Sequence, residues 1–339
     1  QLVMKIIFHS FLAPQLKSYF EFRQKLGYTS FAGATRQYQA KELDAYIVFH
    51  GVSSVRQLDE GFLVNWLHAV QRRSPATKNT MLWFARGFFN YLIRLELANA
   101  NPMQRIRDLK TKHYQPYIFT LKEIQSLLEE ARLYKCRWAP KCFLGPTMET
   151  LIFLIYACGL RISEALNLKI QDVDFEENLL SLWKTKFHKE RLVPFSVAAA
   201  EKLKVYLDLR TKHFPPVSPQ APFFCHRAGK YTRHPIEAHF RQLLVRCGLA
   251  KPKGRGAPRL HDLRHSMATH RLYKWYQDGH DMLNKLPLLS VFLGHVNIEN
   301  TQVYLTVTQA LLREADRRFQ GAFEEVTQRA LNRALKNRL

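Results

Sequence analysis

The stretch Ala157-Cys158-Gly159-Leu160-Arg161-Ile162-Ser163-Glu164 decides how this chain is read. Before it, Met148 to Tyr156 is mostly apolar, which predicts a buried helix, and Gly159 supplies the stop. After it, Ser163 to Leu168 predicts a second, short helix. An arginine therefore follows a buried helix directly, and a glutamate stands one turn later. Beyond Leu168 the apolar period changes. Ile170, Val173 and Phe175 come before a turn at Glu176-Glu177-Asn178, and Leu180 and Leu182 before a second turn near Phe187-His188. Leu192 and Val193 follow. This alternation predicts a small three-stranded antiparallel sheet. The remainder reads as mostly helical, with loops at Pro215-Pro216 and from Lys251 to Pro258.

Upstream, residues 10 to 97 predict four helices. Leu16, Tyr19, Phe20, Phe22 and Leu26 recur near helical spacing, as do Leu43, Tyr46, Ile47 and Phe49. Asp59 precedes a third helix. Ser74-Pro75 opens a fourth, with serine as cap and proline in the first turn. A basic stretch containing Arg105, Arg107, Lys110, Lys112 and His113 follows, and Thr120 with Glu123 forms a capping box. The expected organisation is a helical domain over 1–102, a basic linker over 103–117, a mixed α/β domain over 118–307 and a helical tail over 308–339. The fold class is mainly α with a small antiparallel β-sheet.

The chain of 339 residues carries 51 basic and 28 acidic side chains, a net charge of +23. A field of that size favours a polyanion, with nucleic acid the first candidate. A hydrophobic fraction of 47% with 12% aromatics excludes a disordered chain. The apolar run Leu151 to Leu160 is too short to span a bilayer. The opening Gln-Leu-Val-Met-Lys-Ile-Ile-Phe lacks a signal-peptide core. A cytoplasmic, nucleoid-associated protein without a membrane partner is expected. Cys136, Cys142, Cys158, Cys225 and Cys247 are irregularly spaced and fit reduced thiols; no second pair joins Cys136 and Cys142 at zinc-ligand spacing.

Four more short stretches carry chemistry-bearing side chains: Lys186-Phe-His-Lys-Glu-Arg-Leu-Val-Pro, His261-Asp-Leu-Arg264-His265, Leu293-Gly294-His295 and Thr301-Gln-Val-Tyr304. His261 and Arg264 would share a helical face. Two arginines form a natural clamp for phosphate, because guanidinium makes fork-like, charge-assisted bonds to its oxygens.

The order and spacing of these motifs resemble the catalytic core of the tyrosine recombinases, the phage integrase family, closely over roughly residues 118 to 307 and more loosely over the first hundred. The resemblance implies that Tyr304, nine residues after His295 (304 − 295), attacks a DNA phosphate and holds the cut strand as a 3′-phosphotyrosine. It implies that Arg161 and Arg264 clamp the phosphate, with His261 and His295 beside it. Lys186 becomes the general acid for the leaving 5′ oxygen, with Lys184 and Lys189 as rivals. Glu164 would orient Arg161 or a histidine. His265 and His270, the histidines nearest these motifs, receive no catalytic role. The chemistry needs no metal and no nucleotide cofactor.

The implied partner is double-stranded DNA with specific recombination sites. The protein would be a monomer in solution and a homotetramer on two sites; accessory proteins are not legible. Two helices are the expected DNA readers in a clamp built from both domains. One runs from Ser74 to Leu95 with Arg72, Arg73, Lys78 and Arg86; the other runs from Pro235 to Cys247 with Arg233, Arg241 and Arg246. Lys112 in the basic stretch would complete the grip. Beyond Tyr304, Leu311, Leu312, Ala315, Phe319, Phe323, Val326, Ala330 and Ala334 mark an amphipathic tail, expected to dock on a neighbouring subunit. Two other readings remain open at this point: a type IB topoisomerase, which uses closely similar residues, and a DNA-binding architectural protein with a silent catalytic fold.

Overall fold

The computed structural model describes residues 7–28, 30–69, 73–111, 116–135, 143–183, 190–214, 218–227, 229–250, 257–295, 297, 299, 301, 303 and 304. The chain divides into two compact units, Gln1–His113 and Tyr114–Leu339. Among the described residues, no helix is long and apolar enough to cross a membrane.

The first unit holds α1 (Ala13–Lys25), α2 (Ser30–Phe49), α3 (Glu60–His68) and α4 (Pro75–Arg94). The caps read from the sequence are in place. Asp59 accepts from the Phe62 N–H at 2.8 Å, and the Ser74 hydroxyl accepts from Thr77 N–H at 3.2 Å, each satisfying a donor that the helix itself leaves open. Leu16, Tyr19, Leu43, Ile47, Leu63, Trp66, Phe84 and Phe88 form the core.

The basic stretch expected to act as a linker from residue 103 is tied to this unit as far as Leu109. Met103 lies in the core. Buried Asn79 on α4 donates to the Leu109 carbonyl at 2.9 Å and accepts from its N–H at 2.8 Å. A buried carboxamide needs partners for both ends, and the passing backbone supplies them. Composition alone does not reveal that.

The second unit contains α5 (Leu121–Arg132), α6 (Leu144–Cys158), α7 (Ile162–Asn167), β1 (Val173–Asp174), β2 (Leu179–Leu182), β3 (Arg191–Pro194), α8 (Val197–His213), β4 (Cys225–His226), β5 (Gly229–Lys230), α9 (Arg233–Arg246), α10 (Asp262–Gln277) and α11 (Met282–Leu293). The fold is mainly α with small antiparallel sheets. Helix α6 is the hub: Met148, Leu151, Ile152, Leu154, Ile155 and Cys158 are all buried, and α5, α8 and α10 pack against it.

Strands β1, β2 and β3 form an antiparallel sheet in that order. The register pairs Leu180 with Val193 and Leu182 with Arg191. Side chains alternate across a pleated strand, so Arg191 shares the inward face with buried Val193. Leu192, read with Val193 as an apolar strand position, faces out and is 61% exposed. The hairpin of β4 and β5 was not expected. Its strands are two residues each, too short for alternation to register.

Candidate active site

Two helices, α6 and α11, end on glycines, and one arginine reaches the carbonyls at both ends. Helix α6 closes on Gly159 at φ +60°, and α11 closes on Gly294 at φ +65°. Both occupy the left-handed region that favours glycine. A side chain at either position would also displace a neighbour. A Cβ at Gly159 would lie 2.1 Å from Met267 Cε, and one at Gly294 would lie 2.7 Å from Arg191 Nη1.

The carbonyl groups left open at these two helix ends are the acceptors for Arg264. Its Nη1 donates to Gly159 O and its Nη2 to Leu293 O, each at 2.6 Å, in a side chain only 1% exposed. Helix C-termini carry partial negative charge, which stabilises a cation placed there. Burial and the neighbouring Arg161 nevertheless lower the Arg264 pKa to about 10, still protonated at neutral pH.

Arg161 caps α7. Its Nη1 donates to Glu164 Oε1 at 2.7 Å and its Nη2 to Gly294 O at 2.8 Å, while Glu164 Oε2 accepts from the Arg161 backbone N–H at 2.8 Å. Arg191, brought inward by the strand register, grips the same carboxylate with two bonds of 2.9 Å and donates Nε to Phe292 O at 3.1 Å. Arg264 Nη1 stands 3.9 Å from Glu164 Oε2. Burial alone would raise the Glu164 pKa; the hydrogen bonds and charges of Arg191 and Arg161 overcome it and hold the acid at about 2.

Three histidines and Tyr304 complete the cluster. The His261 and His265 rings are 4.9 Å apart by centroid, and His265 lies 5.4 Å from the Tyr304 ring. His295 stacks on Tyr304 at 6.1 Å with planes 17° apart, and its Nδ1 is 2.8 Å from Thr301 Oγ1. Burial first, then nearby cationic groups, pull these histidines down to about 3, about 4 and about 3 for His261, His265 and His295. All three are neutral at pH 7. Tyr304 is 1% exposed. Burial raises its hydroxyl pKa, opposed by the charge and hydrogen bond of Arg264 and by the charge of Arg161. Three guanidiniums against one carboxylate leave this cluster at 3 − 1 = +2.

Arg161, Glu164, His261, Arg264, His295 and Tyr304 are therefore gathered at one place. Lys186, with its rivals Lys184 and Lys189, lies outside the described residues, as do Arg72, Lys112 and the tail beyond Tyr304. His265, set aside from the sequence, belongs to the cluster, because α10 sets its ring 4.9 Å from that of His261, one turn earlier, and 5.4 Å from that of Tyr304. His270 bonds to the Tyr156 hydroxyl through Nδ1 at 2.9 Å. Sequence reading missed Arg191 and Thr301, although both stand inside motifs quoted for Lys186 and Tyr304. The strand parity of Arg191 and the three-residue offset of Thr301 from Tyr304 were the available signals.

The basic residues expected to meet DNA divide sharply. Arg86 donates to Met103 O, Ile106 O and Asp108, so its guanidinium is committed to its own unit. Arg73 pairs with Glu42. Arg246 sits over the Tyr134 ring at 4.7 Å, and Arg233 pairs with Glu237 at 2.7 Å. Lys78 is half-buried and Arg241 exposed.

The profile of the phage integrase family matches residues 118–310. The chain is 32% identical over 314 residues to y4rB of Sinorhizobium fredii, which carries the name integrase/recombinase, covering 92% of this chain and 98% of that protein. It is 29% identical over 245 residues to the tyrosine recombinase XerC of Chlamydia caviae, covering 72% of each chain. The fold resembles XerH site-specific recombinase bound to palindromic difH substrate in a post-cleavage complex, with TM-score 0.63 and 22% identity, covering 84% of this chain and 78% of that one. It also resembles a lambda integrase dimer bound to a COC′ core site, with TM-score 0.62 and 15% identity, covering 86% and 76%. The chain belongs to the phage integrase family. Within it, the protein is an enzyme of the site-specific tyrosine recombinase class.

Proposed function

We propose that this enzyme breaks and rejoins DNA at specific sites through a 3′-phosphotyrosine formed by Tyr304. The observation that carries the reading is the +2 cluster of fixed guanidiniums around a buried tyrosine. A phosphodiester enters with one negative charge, and the transition state adds negative charge on its oxygens. Guanidiniums already locked by carbonyls and Glu164 meet that charge without reorganising. Arg161 and Arg264 are assigned as the clamp, and neutral His261 and His295 as hydrogen-bond partners of the phosphoryl oxygens. Tyr304 attacks as its proton passes to a neutral histidine of the cluster or to a phosphoryl oxygen, while the charges of Arg264 and Arg161 oppose the rise in its pKa that burial causes. Lys186 is assigned as general acid for the 5′ oxygen. The phosphotyrosine keeps the energy of the broken ester, so a 5′ hydroxyl reverses the step.

The described candidates for DNA contact are Lys78 on α4 and Arg241 on α9, with Arg233 of α9 joining them only by giving up Glu237. Relatives named as recombinases and fold neighbours solved on DNA support double-stranded DNA as partner. Assembly of four copies on two sites, with the tail past Tyr304 docked on the next copy, is the working form. A nicked suicide substrate tests the reading. Wild-type protein should accumulate a covalent adduct, whereas Tyr304→Phe should form none while binding DNA within about twofold, since one hydroxyl is a small part of a large phosphate-contact surface. An adduct formed by Tyr304→Phe would overturn the assignment.

A further inference from the structure

A neutral imidazole has one N–H and one bare nitrogen, and the partner of the first nitrogen decides what the second offers. His295 Nδ1 lies 2.8 Å from Thr301 Oγ1. Thr301 is 0% exposed, and His295 Nδ1 is the one hydrogen-bond partner its hydroxyl has among the described residues. Two arrangements are open. If Nδ1–H donated, the hydroxyl hydrogen of Thr301 would be buried with no acceptor, a loss of about 1–3 kcal/mol. If the hydroxyl donates to bare Nδ1, both groups are satisfied, and the single proton of the ring sits on Nε2.

We infer that Thr301 is a positioning residue that fixes His295 as the Nε2–H tautomer, so that the ring presents a donor rather than a lone pair to the scissile phosphate. This rests on the recombinase reading above, in which His295 meets a phosphoryl oxygen. Charge agrees with it: burial, Arg264 and Arg161 keep His295 uncharged at pH 7, so only a tautomer, not protonation, supplies the donor. A lone pair aimed at phosphate would repel it.

The bond also ties two parts of the proposed chemistry together. Residues 299, 301, 303 and 304 are helical, so Thr301 and Tyr304 are three apart on one helical face. The same turn that carries the nucleophile therefore holds the histidine ring stacked 6.1 Å from it. Movement of that turn would move both groups at once. Thr301 thereby couples the aim of Tyr304 to the orientation of His295.

Thr301→Val keeps shape and removes the donor, and Thr301→Ser restores it. With DNA in excess, the Val variant should form adduct about tenfold more slowly than wild type, one hydrogen bond's difference of about 1.4 kcal/mol, with unchanged half-saturation by DNA. The Ser variant should recover most of the rate. Independently, protein with ¹⁵N-labelled histidine should show the His295 signal, identified by its loss in His295→Gln, with Nε2 protonated and Nδ1 bare. A wild-type spectrum with Nδ1 protonated overturns the inference. So does a Val variant that cleaves at the wild-type rate, or a Ser variant no better than Val. If wild-type protein forms no adduct, the recombinase reading fails, while the spectrum still decides whether Thr301 is the donor. Should the Val variant fold poorly, the Ser variant and the wild-type spectrum carry the test.

Discussion

In the second unit three guanidiniums share one carboxylate, whereas in the first unit Arg86 has Asp108 and two carbonyls, and Arg73 has Glu42. Both regions are basic in sequence, and both hold arginines with backbone carbonyls. Around Glu164 the positive charge outruns its partners and is screened from water by burial. Around Arg86 it is matched and serves to strap residues 103–109 onto α4. The difference teaches that a basic residue marks a polyanion site only where the fold leaves its charge uncancelled. Net charge of the chain, +23, does not say where that happens.

The strongest way to break the contrast is Glu164→Gln. It leaves the shape but removes the one carboxylate shared by Arg161, Arg191 and, at 3.9 Å, Arg264. Removing one partner of a buried ion pair costs about 3–5 kcal/mol. The urea midpoint of the second unit should fall accordingly, and adduct formation should slow because Arg161 loses its orientation. DNA binding should hold or tighten, since a negative charge has left the proposed phosphate site. If DNA affinity instead falls in step with cleavage, the cluster is not an anion site.

Acid sharpens the same comparison. The three histidines bind protons at about 3 to 4 in the folded protein and near 6.5 when unfolded. Their folded pKa values are depressed, so their contribution is complete above pH 6.5 and is lost as pH falls toward 4. Glu164, held at about 2 against an ordinary 4.5, loses its contribution only below pH 4.5. Between pH 6.5 and 4.5 the histidines act without it. Stability of the second unit should decline there, by at most about 1.4 kcal/mol per pH unit for each histidine. His295, partly open to water, contributes less than that bound. His261→Gln should flatten the decline. A wild-type unfolding midpoint that is constant from pH 7 to 5 would contradict the buried, neutral state of these rings.

Much of the cluster was legible because its members sit in short motifs. Gly159 and Gly294 stop two helices, and the residues after them, Arg161 and His295, inherit fixed positions. What stayed hidden depends on distance across the fold. Arg191 faces inward only because β3 pairs with β2 in a register that sets it opposite Leu182. His265 reads as a neighbour of Arg264 until α10 is packed against the turn that carries Tyr304. The matched state of Arg86 rests on Asp108, twenty-two residues away (108 − 86), and on carbonyls that no residue type announces. Helix starts were read well at Asp59, Ser74 and Thr120 because a cap acts within three residues. The two-residue strands of β4 and β5 carry too few side chains to show a period.

The smallest expected effect separates a strap from a DNA contact. Arg86→Ala removes bonds to Met103 O, Ile106 O and Asp108, in a side chain 24% exposed. Partly open bonds of this kind are worth about 1–2 kcal/mol together, so the first unit should unfold at a slightly lower urea concentration. Its guanidinium is already matched, so no counterion on DNA should depend on it. Each phosphate contact contributes about 0.9 to the slope of log affinity against log salt. Arg86→Ala should therefore leave that slope unchanged. Arg241→Ala, on an exposed face of α9, should reduce it by about one without changing stability. Titrations of both variants at several salt concentrations decide the matter. If Arg86→Ala also lowers the slope by about one, Arg86 exchanges Asp108 for a phosphate when DNA arrives, and the contrast between the two regions belongs only to the free protein.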